Sequence, residues 1–546
     1  MNGAQSLIRT LAGAGVEVCF ANPGTSEMHF VAALDAVPQM RGVLGLFEGV
    51  VTGAADGYAR IAGKPAVVLL HLGPGLGNGL ANLHNARRAG TPVIVVIGDH
   101  ATYHKRYDAP LESDIEAVAR SQCGWLRRCA SSAELGADAA AAVTAAMAPP
   151  GRIAALILPA DVSWGDGGVA VGWNPGEKCT AGGPGPAAAS AMPSEAAMPS
   201  EAAMPPEAAM PSEAAIAAAA GVLRGGEPVA LLIGGAVCRE RGLLAASRIA
   251  NATGARPLIE TFPARLERGA GLPAIDRLAY LAEQATTQLT GIRHLILAGA
   301  RSPVSFFAYP GLPSDLVPDG AQVHTLAGQA EDAAAALEEL AAMVAPGTGP
   351  TLAEASRPAP PSGPLTAVNW AEVVAALLPE NAIISDEANT SGLLLPAVTA
   401  GAPRHDLLTL TGGAIGQGLP VATGAAIAAP ARPVISLQAD GSAMYTISAL
   451  WTQARENLNV TTVVLNNSAY AILRLEMQRV GADLSGPAAK SLLSLSSPDL
   501  DFTRIAQGMG VPATQARTCE DLVTQLQAAL AEPGPHLIDA IVPPLL

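Results

Sequence analysis

Short, mostly apolar runs alternate with helix-length segments along the whole chain. Residues 66–72 read Ala-Val-Val-Leu-Leu-His-Leu, 93–97 Val-Ile-Val-Val-Ile and 229–233 Val-Ala-Leu-Leu-Ile. Similar runs fall at 16–21, 43–47, 294–297, 382–385, 434–438 and 462–465. A strand with one wet face would alternate polar and apolar residues with period two. These runs do not, so both faces must be covered, which is the condition of parallel sheets lying between helix layers. Half of the residues are hydrophobic but only 3% are aromatic, so the cores must be built from Ala, Val, Leu and Ile. Such small side chains let helices lie close on sheets. The expected fold class is α/β, with three domains that each hold a parallel sheet covered by helices.

Composition also places the boundaries. From Met192 the unit Met-Pro-Ser-Glu-Ala-Ala runs four times to Ala215, with Pro206 in place of Ser in the third copy. Recurrent Pro breaks a helix, and six residues are too few for a solenoid repeat, so this stretch reads as a linker. A second Pro-rich stretch lies at 357–364. The expected organisation is an N-terminal domain at 1–175, a linker at 176–215, a middle domain at 216–347, a linker at 348–364 and a C-terminal domain at 365–546.

A net charge of −15 without a basic stripe excludes a nucleic-acid footprint. No apolar run reaches about 18 residues without Gly, Pro or charge, so no membrane span is expected. Six irregularly spaced cysteines suit free thiols in a reducing compartment. A cytoplasmic location is the expectation.

In parallel α/β sheets ligands gather at the carboxyl ends of strands. The run 434–438 ends in Ala439-Asp440-Gly441-Ser442, and a helix is expected over 443–457. The run 462–465 ends in Asn466-Asn467-Ser468-Ala469-Tyr470. A carboxylate and an amide thus stand at two strand ends, 27 positions apart. Hard oxygen donors of this kind suit Mg²⁺ or Ca²⁺ that keeps phosphate in its shell. Taken singly, Asp-Gly is an ordinary turn and Asn-Asn an ordinary strand end. In the N-terminal part, Glu48 follows the run 43–47 and opens a helical stretch containing Ala55-Asp56-Gly57-Tyr58-Ala59-Arg60. A carboxylate among Leu46, Phe47, Val50 and Val51 is unusual; a helix-capping Glu is its plain reading.

Together these segments resemble the thiamine diphosphate-dependent enzymes of the benzoylformate decarboxylase and acetolactate synthase kind, over most of the chain outside the repeat. The resemblance implies a pyrimidine-binding and a diphosphate-binding domain flanking a Rossmann-like middle domain. It implies that Asp440, Asn467 and the carbonyl of Ala469 ligate the metal, with Gly441, Ser442 and Tyr470 beside the diphosphate. Ala439 stands where the family motif has its first Gly. Glu48 would be the activating carboxylate, raised in pKa by burial and sharing a proton with the pyrimidine ring. Gly412-Gly413-Ala414-Ile415-Gly416 resembles the loop under the cofactor, with Gly413 in the loop and Ile415 as the bulky residue that bends it. Asn389 and Thr390 match the stretch that holds the diphosphate. Because Glu48 and Asp440 meet across a subunit interface in the family, a homodimer or homotetramer is implied.

Thr25 in Asn22-Pro23-Gly24-Thr25 and His71 match active-site positions of benzoylformate decarboxylase, and both are assigned catalytic roles on that resemblance. Its second active-site His falls on Phe306, which cannot relay a proton, and this points toward carboligation of the acyl unit left after CO₂ loss. Arg301-Ser302-Pro303-Val304-Ser305 replaces the Arg-Phe-Asp-Asp-Arg of acetolactate synthases, which speaks against FAD. Tyr107 and Asp108 replace the paired His of pyruvate decarboxylases; with His100 and His104 they are candidates for the substrate mouth, a solvated loop being the equal reading. The implied activity is thiamine diphosphate- and Mg²⁺-dependent decarboxylation of a 2-oxo acid, with or without carboligation. The alternatives are a cofactor-binding paralogue without catalysis that acts through assembly, and a nucleotide-binding Rossmann protein. The spacing Gly73-x-Gly75-x-Gly77 does not fit the second.

Overall fold

The computed structural model describes residues 1–174 and 208–544. Most of the hexapeptide repeat falls outside the described residues. Its last copy runs into a helix, Glu213–Arg224, capped by Ser212, whose hydroxyl accepts from the Ala215 amide at 3.2 Å. The Pro-free tail of the repeat is thus helical, because Ser at an N-cap followed by an Ala-rich run favours it.

Two compact units organise the chain. The first comprises, of the described residues, 1–44, 63–80 and 91–174. It holds a six-stranded parallel sheet in the order Arg41–Leu44, Val18–Ala21, Ala66–Leu70, Val93–Asp99, Ile153–Pro159 and Trp125–Arg128. Its central strands are buried at every position, as their unbroken apolar runs require. The second unit comprises 45–62, 81–90 and 208–544. One of its sheets is parallel and four-stranded, in the order Gln322–Ala327, His294–Ala298, Val229–Ile233, Arg256–Ile259. The other runs Ala513–Ala516, His536–Ile541, Val460–Asn466, Val434–Ala439, Ala382–Glu387, His405–Thr409, Leu266–Arg268. Only the last strand is antiparallel.

This last strand comes from the middle segment, so the middle and C-terminal segments share a sheet. The helix Glu48–Ala62 belongs to the same unit. It packs on the helix Gly418–Ala428 at backbone contact: a Cβ on Gly57 would stand 2.1 Å from the Val421 carbonyl oxygen, and one on Gly424 would stand 1.8 Å from that of Ala54. Glycine at both places permits an approach that any side chain would block. Val50 of this helix shares a core with Leu419, Ala443, Leu450 and Val464. The expected helix over 443–457 is two short ones, Asp440–Tyr445 and Ala449–Arg455. The break falls at Thr446, whose backbone leaves the helical region with φ −136° and ψ 28°, and whose hydroxyl donates to the Gly416 carbonyl at 2.9 Å. Among the described residues no helix is long and apolar enough to cross a membrane.

Candidate functional site

In the first unit, the strand Val18–Ala21 runs out into Asn22-Pro23-Gly24 and a single 3-10 turn, Thr25–Glu27. His71 stands at the end of the next strand, just before Leu72, which takes a left-handed φ of 49° and starts the helix Leu72–Ala89. Glu27, only 1% exposed, links the two strand ends. Its carboxylate accepts from the Gly24 amide at 2.8 Å and the Ser26 hydroxyl at 2.7 Å, and lies 2.9 Å from His71 Nδ1. Ser26 Oγ is itself 3.2 Å from that nitrogen. A Cβ on Gly24 would fall 2.2 Å from the imidazole, so the ring can lie here only because residue 24 has no side chain. With Nδ1 committed to the carboxylate, Nε2 is the nitrogen left for chemistry. Thr25 is exposed at the start of the turn, and the hydroxyl at His71 is that of Ser26. Glu27 carries the arrangement yet no motif named it; the signal was a carboxylate three residues after Gly24 in a strand-end turn.

Also in this unit, His100 and His104 have ring centroids 5.4 Å apart, and His104 and Tyr107 5.7 Å. Buried Asp99 anchors the segment by accepting from Lys105 Nζ at 3.1 Å and from Arg128. Tyr107 and Asp108 are exposed.

In the second unit, the strand Val434–Ala439 delivers Asp440, which is 2% exposed. Its carboxylate accepts from the Gly441 amide at 2.7 Å and the Asn467 amide at 3.0 Å. Burial holds its pKa above the usual carboxylate range, against the lowering effect of these N–H groups. Asn467 Oδ1 accepts from the Ala469 amide at 3.0 Å. Ser468 between them has a left-handed φ of 52°, which folds Asn467 and Ala469 around one point. Tyr470 lies over Gly441: a Cβ there would be 2.4 Å from the phenol ring. The Asn389 side chain donates to Ser442 Oγ at 2.8 Å, joining the ends of two neighbouring strands; Thr390 is half-buried beside it.

The loop 412–418 is clamped from several sides. Asn85 accepts from the Ala414 amide at 3.2 Å and donates to its carbonyl at 2.8 Å. Asn82 Nδ2 bridges the Gly49 carbonyl at 2.8 Å and the Gly416 carbonyl at 3.2 Å, so the turn of helix that begins at Glu48 stands beside the loop. Gln417 Nε2 donates to Asp56 at 3.0 Å, and Asp56 pairs with buried Arg60 at 2.6 Å. Half-buried Ile415 is thereby presented between two fixed residues, and Gly413 is exposed. Phe306 closes on Gly413, within 2.9 Å of where its Cβ would be, and sits among Phe262, Tyr280 and Phe307. Glu48 is 8% exposed.

Among the described residues no three His, Cys, Asp or Glu side chains gather as a metal cluster. The donors that would hold a metal here are of another kind: the Asp440 carboxylate, the Asn467 side-chain amide and the Ala469 carbonyl. A buried carboxylate whose hydrogen-bond partners are all backbone N–H groups fits a hard cation that draws its remaining ligands from a phosphate. The residues therefore fit a metal-bound diphosphate.

Three sheets under helices, parallel but for one edge strand, with a carboxylate–amide pair at neighbouring strand ends and a clamped glycine loop beside them, define the thiamine diphosphate-binding fold. Residues 1–119 match the thiamine pyrophosphate enzyme N-terminal TPP binding domain, and 393–540 the C-terminal TPP binding domain. The chain is 63% identical over 549 residues, and the whole of both chains, to "Putative acetolactate synthase large subunit IlvX" of Mycobacterium tuberculosis. It is 30% identical over 552 residues, 96% of each chain, to benzoylformate decarboxylase of Pseudomonas aeruginosa. The structure of Rhodococcus jostii RHA1 thiamine diphosphate-dependent 4-hydroxybenzoylformate decarboxylase superposes with a TM-score of 0.81 at 24% identity, covering 100% of this chain and 99% of that one, which speaks to the fold. This chain belongs to the thiamine pyrophosphate enzymes, of the acetolactate synthase and benzoylformate decarboxylase type.

Proposed function

We propose that this protein is a thiamine diphosphate- and Mg²⁺-dependent enzyme that decarboxylates a 2-oxo acid and passes the acyl unit to a second carbonyl compound. The observation that carries this reading is Asp440, a buried carboxylate that, among the described residues, is met only by backbone N–H groups, one of them that of Asn467. Asp440, Asn467 and the Ala469 carbonyl would hold Mg²⁺. Gly441, Ser442, Tyr470, Asn389 and Thr390 would surround the diphosphate, and Gly413 and Ile415 would underlie the rings. Thiamine diphosphate, when bound, supplies a carbon nucleophile and an electron sink for breaking the bond next to a carbonyl.

The chain's own groups orient and move protons. Glu48 would be the carboxylate that meets the pyrimidine ring when the cofactor is bound. His71, fixed through Nδ1 by Glu27, offers Nε2 to the substrate, and the hydroxyl of Thr25 receives the substrate's carboxylate, while Ser26 keeps its proton on Glu27. Phe306 stands over Gly413 as an apolar wall with no proton to give, which supports capture of the acyl unit by a carbonyl acceptor over its protonation. FAD plays no part in this reading.

We infer assembly at least to a homodimer. Leu393, Leu394, Met444, Tyr445 and Leu473 are exposed apolar side chains on segments that flank the diphosphate residues, which supports an interface there. Sedimentation should show a dimer or tetramer; a monomer at micromolar concentration would overturn that part. The test of the activity is incubation with thiamine diphosphate, Mg²⁺ and a panel of 2-oxo acids, with CO₂ and carbon products both followed. Release of CO₂ with formation of a coupled hydroxyketone is expected. A protein that binds the cofactor and turns over no panel member would instead be a paralogue without catalysis.

A further inference from the structure

Glu387 ends the strand Ala382–Glu387 and is 1% exposed. Strand-end carboxylates are ordinarily wet or paired with a cation. This one is met by backbone alone: Oε1 accepts from the Gly416 amide at 2.7 Å and the Gln417 amide at 3.4 Å, and Oε2 accepts from the Gly418 amide at 2.7 Å. Three successive N–H groups of the loop under the cofactor thus converge on one carboxylate. The neighbouring strand and helix leave it no freedom. The Ser385 hydroxyl donates to the Gly418 carbonyl at 2.8 Å, and a Cβ on Gly418 would lie 2.1 Å from Gln438 Nε2 and 2.9 Å from Glu387 Cβ. The crevice among Ser385, Asp386, Thr409, Gln417 and Val421 has no room for a water molecule, so solvent cannot replace the carboxylate.

We propose that Glu387 is a positioning residue for the cofactor: its ionised carboxylate draws the 416–418 backbone onto the strand and so sets the height of Ile415 and of the loop on which the rings of thiamine diphosphate rest. This rests on the cofactor assignment above. Both carboxylate oxygens act as acceptors, and a proton on either would face an N–H donor and release that end of the loop. Burial raises the Glu387 pKa to about 7, opposed by the N–H groups of Gly418, Gly416 and Gln417 and helped by the neighbouring Asp386. The other charged groups around it are Arg277, which faces Asp386, and the Asp56–Arg60 pair beyond Gln417.

The experiment is titration of thiamine diphosphate, with Mg²⁺ in excess, into the full-length protein by calorimetry between pH 6 and 8.5. Wild type, Glu387→Gln and Glu387→Asp are compared, and thermal melts confirm that each is folded. Wild type should bind about tenfold more weakly at pH 6 than at pH 8, in proportion to the ionised fraction. Glu387→Gln should bind about tenfold more weakly at pH 8 and keep only the pH dependence that belongs to the ligand. Glu387→Asp should keep a steep dependence with a displaced midpoint. A folded Glu387→Gln with wild-type affinity and profile overturns the proposal. If that variant does not fold, an Asp variant whose midpoint equals wild type overturns it. Wild type that fails to bind thiamine diphosphate at any pH overturns the cofactor assignment as well.

Discussion

Glu27 Oε2 lies 2.9 Å from Nδ1 of His71, and the same carboxylate accepts from the Gly24 amide and the Ser26 hydroxyl. A ring held in this way keeps one orientation and one protonated nitrogen, as a carboxylate does for a catalytic His elsewhere. Glu27→Gln preserves shape and removes the charge. Turnover of the decarboxylated substrate should fall on the order of 10²-fold with a smaller change in KM, read by steady-state kinetics. An unchanged kcat would remove His71 from the chemistry.

Asp440 should have opposite effects on binding and on stability. Its burial makes the ionised carboxylate costly until a cation arrives. Asp440→Ala should abolish Mg²⁺-dependent binding of thiamine diphosphate in calorimetry. The apo protein should melt no lower than wild type, since a buried charge has been taken away. A lower apo melting temperature together with intact binding would contradict the assignment.

The Asp56–Arg60 pair is buried at 2.6 Å and ties one helix to the loop through Gln417 and to the Thr409 carbonyl through Arg60. Asp56→Ala leaves Arg60 buried without its partner, which typically costs about 3–5 kcal/mol. Denaturant unfolding should register that loss; a change under about 1 kcal/mol would mean that the guanidinium finds water.

His405 is buried with Nδ1 2.8 Å from the Pro403 carbonyl and no partner on Nε2. Burial lowers its pKa from 6.5 to about 4. The unfolded chain therefore binds a proton between pH 6.5 and 4 that the folded chain refuses, so stability falls as pH drops through that window, by roughly 3 kcal/mol in all. Glu387 acts in the opposite sense: its raised pKa makes the folded chain the better proton binder between about 4.5 and 7, so its contribution to stability declines as pH rises there. His405→Gln should flatten the acid limb of a plot of unfolding free energy against pH. An unchanged acid limb would contradict the burial cost assigned to it.

Gly57 and Gly424 mark where two helices meet at backbone distance. Gly57→Val should destabilise by about 1–3 kcal/mol or more, seen as a lowered melting temperature. A neutral result would show that the helices can part freely.

The architecture was legible because strands buried on both faces read as plain apolar runs. Strands short of that pattern were not: Trp125–Arg128 carries two arginines, and Leu266–Arg268 is a three-residue edge strand. The proposed site can be read from residue type at a strand end, as at Glu48, His71, Asp440 and Asn467. It was not legible where a residue acts by gathering backbone N–H groups. Glu27 and Glu387 look like ordinary turn acids in sequence, and only folding brings the 24–27 turn to His71 and the 416–418 loop to the end of its strand. The break inside 443–457 has no mark in sequence, because the helix-length pattern continues through Thr446 while its backbone turns to φ −136°.

In the proposed function Glu48 activates bound thiamine diphosphate for cleavage of a 2-oxo acid. The most direct measurement compares CO₂ release by wild type and Glu48→Gln at saturating thiamine diphosphate and Mg²⁺, with cofactor binding verified by calorimetry in both. Wild type should release CO₂ measurably, and the variant should lose at least about 10²-fold with cofactor still bound. Equal rates from the two proteins would contradict this role.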